Sequence, residues 1–466
     1  MMDVSSSPVS RPVQIIEPFQ RFFKKFVTGS YPLFFATMLA LIWANISAPS
    51  YQHIWHAEMT FALGPFQITK SLIHWIDEAL MALFFFTVGL EIKREMLVGE
   101  LASPKRALLP IVAALGGMVV PALIYISLNY GRPSYQGWGI PMATDIAFSL
   151  AVLAILGEKV PVGLKVFLSA LAIADDLGAV LVIALFYTKE INGQSLLVSG
   201  VFLVALGLAN RLWIRKTLIY ALLGIGMWLA ILGSGIHATV AGVLVALFVP
   251  ARGRYDTDTF IQKVKGSLEA FECEPDSCGY TILLNQRHLN AVQAIDLACY
   301  DVETPLQRME HSLQSWIALL ILPLFALANS GLVLKGLNIN EALTHPVTLG
   351  VALGLTLGKP IGISLGTYLA FKVLKTPLPS GVNWAHIAGV GLLGGIGFTM
   401  SLFISGLSFS TAQFTDFSKL GIIAGSIISG VLGLMVLHLG KASKRKDGIP
   451  LSRESTRRFK SEMKGL

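Results

Sequence analysis

Residues Ala170–Tyr187 read ALAIADDLGAVLVIALFY, a long apolar run interrupted by two adjacent carboxylates, Asp175 and Asp176. A helix needs roughly 20 apolar residues to span bilayer hydrocarbon, and the run starting near Val162 is long enough. A carboxylate at mid-bilayer costs roughly 2.5–3.5 kcal/mol on insertion scales. Successive helical residues point about 100° apart, and apolar flanks on both sides deny either acid a route to a helix end. Sequences carry such a cost mainly where acids line a polar cavity, bind a cation or relay protons. The competing account, a buried acid pair neutralised by bases on neighbouring helices, is the weaker one.

The rest of the chain supplies the class. It has 466 residues, of which 54% are hydrophobic and only 14% charged, with a mean hydropathy of +0.65. This is the composition of a polytopic all-α membrane protein, with little material left for a large soluble domain. The net charge of +8 does not indicate nucleic acid, because the bases sit in short segments between apolar runs and so report topology. Cys273, Cys278 and Cys299 share one polar segment; reduced thiols are expected there, and their spacing matches no strong zinc pattern. No cofactor is expected, and the chain is not read as an enzyme.

Residues 1–30 lack an apolar core followed by a small-residue cleavage site, so the first span is expected to be retained. Arg21 to Phe26 (RFFKKF) reads as an interfacial amphipathic turn. Spans are predicted near 31–48, 74–92, 107–128, 139–156, 162–187, 195–210, 217–232, 235–250, 315–334, 346–371, 386–408 and 418–440. Lys93, Arg94, Lys105, Arg106, Arg211, Arg215, Lys216, Arg252, Arg254, Lys372, Lys375 and the tail from Lys441 fall on one side of this arrangement. Lys70, Arg132, Lys189 and Lys335 fall on the other. The positive-inside rule then puts both termini in the cytoplasm, which requires an even number of spans; about twelve satisfies it.

This divides the chain into a cytoplasmic segment (1–30), eight spans (31–250), a cytoplasmic insertion (251–314), four further spans (315–440) and a basic tail (441–466). Within the first group, Met59–Leu63 and Phe66–Lys70 alternate in polarity around Gly64-Pro65, predicting an extracytoplasmic hairpin at 59–70. A lone hairpin is barely stable, so pairing with its copy in a homodimer is expected. The insertion ends in an imperfect helical stripe, Leu289, Val292, Ile295, Val302, Leu306, Met309 and Leu313; regulatory and passive roles both remain open. The tail is expected to be disordered or to lie on anionic membrane lipid.

Two spans read as broken. GWGIPMATDIAFSL (137–150) places Pro141, Thr144 and Asp145 inside an apolar segment, and VGLLGGIGFTMSL (390–402) places four glycines before Thr399 and Ser401. Proline removes a backbone donor and glycine tolerates non-helical dihedrals, so each stretch can unwind at membrane depth. Such backbone survives there only where it lines a protein-enclosed cavity. The two are the fourth and eleventh spans in order, so they run in opposite directions, as the halves of an inverted repeat do. If they cross, paired half-helix N-termini and paired C-termini present opposite partial charges. Asp145 is suited to the first pair. Lys359, mid-span before Pro360, is suited to the second pair, or to an ion pair with Asp175, or to both.

With these residues in place, the chain resembles the NhaA-type sodium/proton antiporters. The resemblance rests on ATDIAFSLAVLAILG, FLSALAIADDLGAVLVIALFYT, SGIHATVAGVLVALFVP, LGKPIGISLG and GGIGFTMSLFISGL, together with FFFTVGLEIKRE and ILPLFALANSGL, in order across nearly every predicted span. That family is among the cases from which the broken-helix rule is drawn, so the rule adds no independent weight. The resemblance implies a multi-pass protein of the bacterial cytoplasmic (inner) membrane that exchanges sodium or lithium for protons. It implies that Asp175 and Asp176 bind the transported ion and protons, with Asp176 the closer cation ligand. It matches Thr144 and Asp145 to the broken-helix motif and Lys359 to the tenth-span lysine. Glu91 and Glu95 match acidic positions implicated in pH response, and Glu78 matches a funnel-facing acid. The insertion departs from compact members: only LQRMEHSLQSW resembles their loop, so Arg308, Glu310 and His311 are candidates for a pH-responsive cluster whose set-point the insertion can alter. His237, beside a span end, is read as structural.

The chemistry agrees with that resemblance. Sodium is a hard cation that favours oxygen ligands. Two desolvated neighbouring carboxylates resist ionising together, so protons and a sodium ion compete for one site. Two other classes compete with this one. An intramembrane aspartyl protease needs its acids on two helices, usually with GxGD, whereas these are neighbours on one helix and GxGD is absent. A transporter of another small ion or an organic anion on a similar fold would use the half-helix N-termini as its site; the adjacent carboxylates argue for a cation.

Overall fold

The computed structural model describes residues 31–440 apart from 64–65, 158–159, 189–190, 270–285 and 336–337. The expectations for the 21–26 turn, the tail, Gly64-Pro65, Lys189, Cys273 and Cys278 therefore lie outside the described residues. Among the described residues the regular structure is helical apart from one short hairpin. In chain order the elements are α1 (Tyr31–Ile46), α2 (Ala48–His56), β1 (Glu58–Leu63), β2 (Phe66–Ser71), α3 (Leu72–Val98) and α4 (Pro104–Asn129). A 3-10 stretch, Pro133–Met142, precedes α5 (Ile146–Ile155), α6 (Val162–Phe186), α7 (Gly193–Arg211), α8 (Thr217–Leu232) and α9 (Thr239–Phe248). The chain continues with α10 (Thr257–Leu268), α11 (Gln286–Val302), α12 (Pro305–Asn329), α13 (Ile339–Thr344), α14 (Pro346–Lys372), α15 (Trp384–Gly394), α16 (Phe398–Ser408) and α17 (Ala412–Leu439).

Seven of these helices are long and apolar enough to cross a membrane, and counting each bent pair as one span brings the number to ten. The shorter apolar helices α8 and α9 stand where the seventh and eighth spans are predicted. The outer faces of α7 and α8 suit lipid. Leu197, Val201, Val204 and Leu208 on α7, and Leu218, Leu222, Ile225 and Leu229 on α8, recur at helical spacing and are exposed. In water such stripes would drive association; against acyl chains they lose nothing.

Both predicted breaks are present. The 3-10 stretch and α5 meet at 42°, and α15 and α16 at 45°. The first span differs from expectation: after Ile46 the chain turns by 117° into α2, with Pro49 in the first turn, where proline needs no donor. The ninth span also differs. Its helix begins at Pro305, inside the expected insertion, because Thr304 and Gln307 form a reciprocal capping box there. The remaining insertion helices, α10 and α11, pack against each other.

The hairpin pairs antiparallel with Glu58 opposite Ser71 and Leu63 opposite Phe66, as the alternation predicts. Trp75 Nε1 donates to Met59 O at 3.1 Å, tying β1 to the start of α3.

Glycines allow a close helix approach. α4 and α14 pack along each other, and a methyl group built on Gly362 would land on the Gly116 carbonyl, while one on Gly116 would land on that of Gly362. Small residues at such a crossing let backbones meet, which is the usual packing device in lipid. α14 itself carries a π-helical turn, Gly354–Gly358, directly before Lys359 and Pro360. Proline cannot donate to the preceding turn, and the widened ladder accommodates it.

Candidate functional site

The unwound residues of the two broken spans hold each other. Asp145 N donates to Ile396 O at 2.7 Å, Thr144 Oγ1 to Gly394 O at 2.8 Å and Ser149 Oγ to Leu393 O at 2.8 Å. The carbonyls that α15 leaves unpaired at its C-terminal end are thus met by neutral donors from the other span. Asp145 caps two helices at once. Its Oδ1 accepts from Phe148 N at 3.0 Å, closing the first turn of α5, and its Oδ2 accepts from Thr399 N at 3.0 Å and from the Thr399 hydroxyl in the first turn of α16. A single carboxylate therefore faces both half-helix N-termini, where partial positive charge favours it.

Beside this crossing, α6 presents Asp175 and Asp176 in mid-helix, 1% and 2% exposed. Lys359, fully buried, donates from Nζ to Asp175 Oδ2 at 2.6 Å. Asp175 is therefore the hydrogen-bond partner of Lys359 among the described residues. α14 and α6 both pack against α4, which brings Lys359 to Asp175, and Gly117 of α4 makes room for Ile363 of α14 one turn beyond Lys359. Asp175 Oδ1 and Asp176 Oδ2 are buried without a hydrogen-bond partner. Thr144 lies against Asp175 and carries its own oxygen. The arrangement offers two unpartnered carboxylate oxygens, a hydroxyl and one counter-charge in a region closed to solvent, a donor set suited to a hard cation or to protons. Among the described residues no group of three or more His, Cys, Asp or Glu side chains forms a metal cage.

The remaining predicted residues fall at the two ends of α3. At the end away from the hairpin, Arg94 gathers three carboxylates: Glu310 Oε1 at 2.6 Å, Glu95 Oε1 at 3.4 Å and Glu91 Oε1 at 3.8 Å. The structure thus joins Glu91, Glu95 and Glu310 through an arginine that the sequence reading used only for topology. His311 is exposed and outside that network. Arg308 stacks on Tyr300 at 3.7 Å and donates to Arg215 O at 3.3 Å, so the insertion helix α11 touches this region. At the hairpin end Glu78 forms an ion pair with Lys70 and lies in a π-helical turn, Ile76–Leu80. His237 bonds to Thr239 Oγ1 at 2.8 Å and meets Phe403 edge-on, as a structural histidine does.

Sequence reasoning missed Asp77, Asn329 and Lys419. Asn329 Nδ2 donates to Asp77 Oδ1 at 2.8 Å, and Lys419 Nζ to Gly331 O at 3.0 Å. An acid within an apolar span was the available signal for Asp77, masked by its neighbour Glu78.

Comparison with known proteins agrees with this geometry. The family model described as Na+/H+ antiporter 1 matches residues 20–437. A protein of Syntrophotalea carbinolica named Na(+)/H(+) antiporter NhaA 2 is 48% identical over 92% of this chain and 98% of its own length. The Koribacter versatilis protein named Na(+)/H(+) antiporter NhaA is 48% identical, covering 91% of this chain and 92% of its own. The Saccharophagus degradans protein named Na(+)/H(+) antiporter NhaA 1 is 45% identical, covering 94% and 95% respectively. Together with the two crossing broken spans and the multi-pass helical fold, these matches establish that the chain belongs to the Na+/H+ antiporter 1 family.

Proposed function

We propose that this protein exchanges sodium or lithium ions for protons across the bacterial cytoplasmic membrane, with both termini in the cytoplasm and access to one site alternating between the two faces. The observation that carries the reading is the pair of buried, unpartnered oxygens, Asp175 Oδ1 and Asp176 Oδ2, beside a lysine that satisfies only Asp175 Oδ2. Leaving a buried carboxylate oxygen unsatisfied is costly, and either a proton or a desolvated cation relieves that cost. The names of the relatives support sodium and proton as the exchanged pair.

Asp176 is the primary cation ligand and Asp175 the second. A cation drawn to their free oxygens competes with Lys359 for Asp175, so cation entry, proton loss and the state of the lysine are linked. Competition for one site, combined with alternating access, gives coupled exchange. Asp145 neutralises the crossing, while Glu91, Glu95, Glu310, His311 and Glu78 tune the response to pH, the first three through Arg94. Residues 251–314 are a cytoplasmic insertion beside that cluster. The protein works as a homodimer in membrane lipid.

An organic anion seated on the half-helix N-termini is disfavoured because Asp145 already occupies both. The deciding experiment is sodium-dependent dequenching of a pH dye in everted vesicles containing the protein. Dequenching with sodium or lithium is expected, and its absence in vesicles that hold correctly inserted protein would overturn the reading.

A further inference from the structure

The helices sort into two packing groups near the hairpin end. α17 packs against α14, α15 and α16, whereas α12 packs against α1 and the start of α3 and meets the other group at α16, where Phe325 lies against Phe403. The C-terminal end of α12, with the run that follows it, is held almost entirely from within its own group. Tyr51 OH donates to Ala328 O at 2.6 Å and accepts from Gly331 N at 3.1 Å. Asn45 donates to Leu332 O at 2.8 Å and accepts from Leu334 N at 2.9 Å. Asp77 on α3 accepts from Asn329.

One side chain arrives from the other group. Lys419, the single lysine of α17, donates to Gly331 O just past the end of α12, where helix carbonyls concentrate negative partial charge. Asp416, three residues earlier on α17, and Asp77 from across the boundary both act on the Lys419 charge. Among the described residues, no other side chain of α14–α17 hydrogen-bonds to residues 327–334. Deeper in the core the groups also meet through Phe325 and Phe403, an apolar contact with no directional bond, so at this end the Lys419–Gly331 hydrogen bond is the link that must break before they part.

Resting on the exchange reading above, we propose that Lys419 is a positioning residue that latches the two helix groups at the extracytoplasmic side, and that releasing its bond to Gly331 opens the outer route to Asp175 and Asp176. The latch belongs to the closed arrangement seen here, in which both aspartates are shut off from solvent.

The test uses the full chain in right-side-out vesicles with Ser330→Cys as reporter. Ser330 is fully buried beside the latch and its hydroxyl has no partner, so this near-isosteric change removes no hydrogen bond. A charged, membrane-impermeant thiol reagent is added outside; Cys273, Cys278 and Cys299 lie in the insertion on the protected side. Lys419→Met should raise the labelling rate on the order of tenfold, the size of a typical coupling between two states, and Lys419→Arg should restore slow labelling. In exchange assays Lys419→Met should lower the apparent KM for sodium at the outer face relative to the inner one, an asymmetry that simple loss of stability would not produce. Unchanged labelling in a properly inserted Lys419→Met protein would overturn the latch. Should that variant fail to insert, Lys419→Gln replaces it, with faster labelling supporting the latch and unchanged labelling refuting it. Labelling does not require transport, so absence of exchange in the wild-type chain would remove the functional reading while leaving the latch result readable.

Discussion

Lys359 Nζ and Asp175 Oδ2 lie 2.6 Å apart in a fully buried ion pair, while the neighbouring Asp176 receives no such partner. Two acids adjacent in sequence thereby acquire different chemistry, one tied to a base and the other open to a cation or a proton. The predictions for the site follow from that asymmetry.

Asp176→Asn keeps the side-chain volume and removes the untethered charge. Exchange should fall at least about a hundredfold, as expected when one carboxylate of a two-carboxylate site is lost at about 2.7 kcal/mol or more, while insertion and melting temperature hold. Vesicles with well-folded Asp176→Asn that still exchange sodium for protons would refute the ion-site assignment.

Asp175→Asn disarms the ion pair as well as the site. Because neighbouring acids titrate as a unit, exchange should fail near neutral pH, and the pH profile of any residual activity should move. Normal transport with an unshifted profile would mean that only one aspartate is engaged.

Lys359→Ala leaves Asp175 buried without its counter-charge, a loss of about 3–5 kcal/mol when one partner of a buried pair is removed. Melting temperature and exchange should both drop, and Lys359→Arg should recover more of each than Lys359→Ala or Lys359→Glu. A stable, active alanine variant, measured by thermal denaturation and vesicle exchange, would contradict the role given to this pair.

Gly362→Ala places a methyl group against the Gly116 carbonyl. Overpacking of this kind costs about 1–3 kcal/mol, and the parted helices should carry Lys359 away from Asp175, so exchange falls with stability. Leu365→Ala, on the exposed face of the same helix, should change neither by more than about 0.5 kcal/mol. Equal effects of the two substitutions would show that the close crossing does not set the site.

Deleting residues 59–70 should give monomers in detergent that melt at lower temperature yet still exchange ions. Two short strands bury too little to stand alone, and an outer edge is open to strand addition by a second copy. A deletion variant that remains dimeric by size-exclusion chromatography with light scattering would move the contact to the apolar helix faces.

Much of this protein was readable from its sequence, because hydropathy and helix breaking act on each residue in its local run. The length of α6 and the two carboxylates inside it, the breaks around Pro141 and Gly394 to Gly397, and the alternation of the hairpin all follow from local transfer energies and backbone dihedrals. The turn after Ile46 and the early start of α12 at Thr304 escaped a reading based on apolar length, since capping and local geometry set where a helix ends while hydropathy sets only that one exists. Which charges meet was beyond the sequence altogether. Lys359 had two acceptable partners until the packing of α14 and α6 on α4 brought it to Asp175. Arg94 looked like a topology marker until α12 brought Glu310 to it. Lys419 went unread in the sequence, because its partner is the Gly331 carbonyl that the end of α12 brings within its reach. An electrostatic contact depends on distances of a few ångströms between segments far apart in the chain, and only the packed tertiary structure determines those distances.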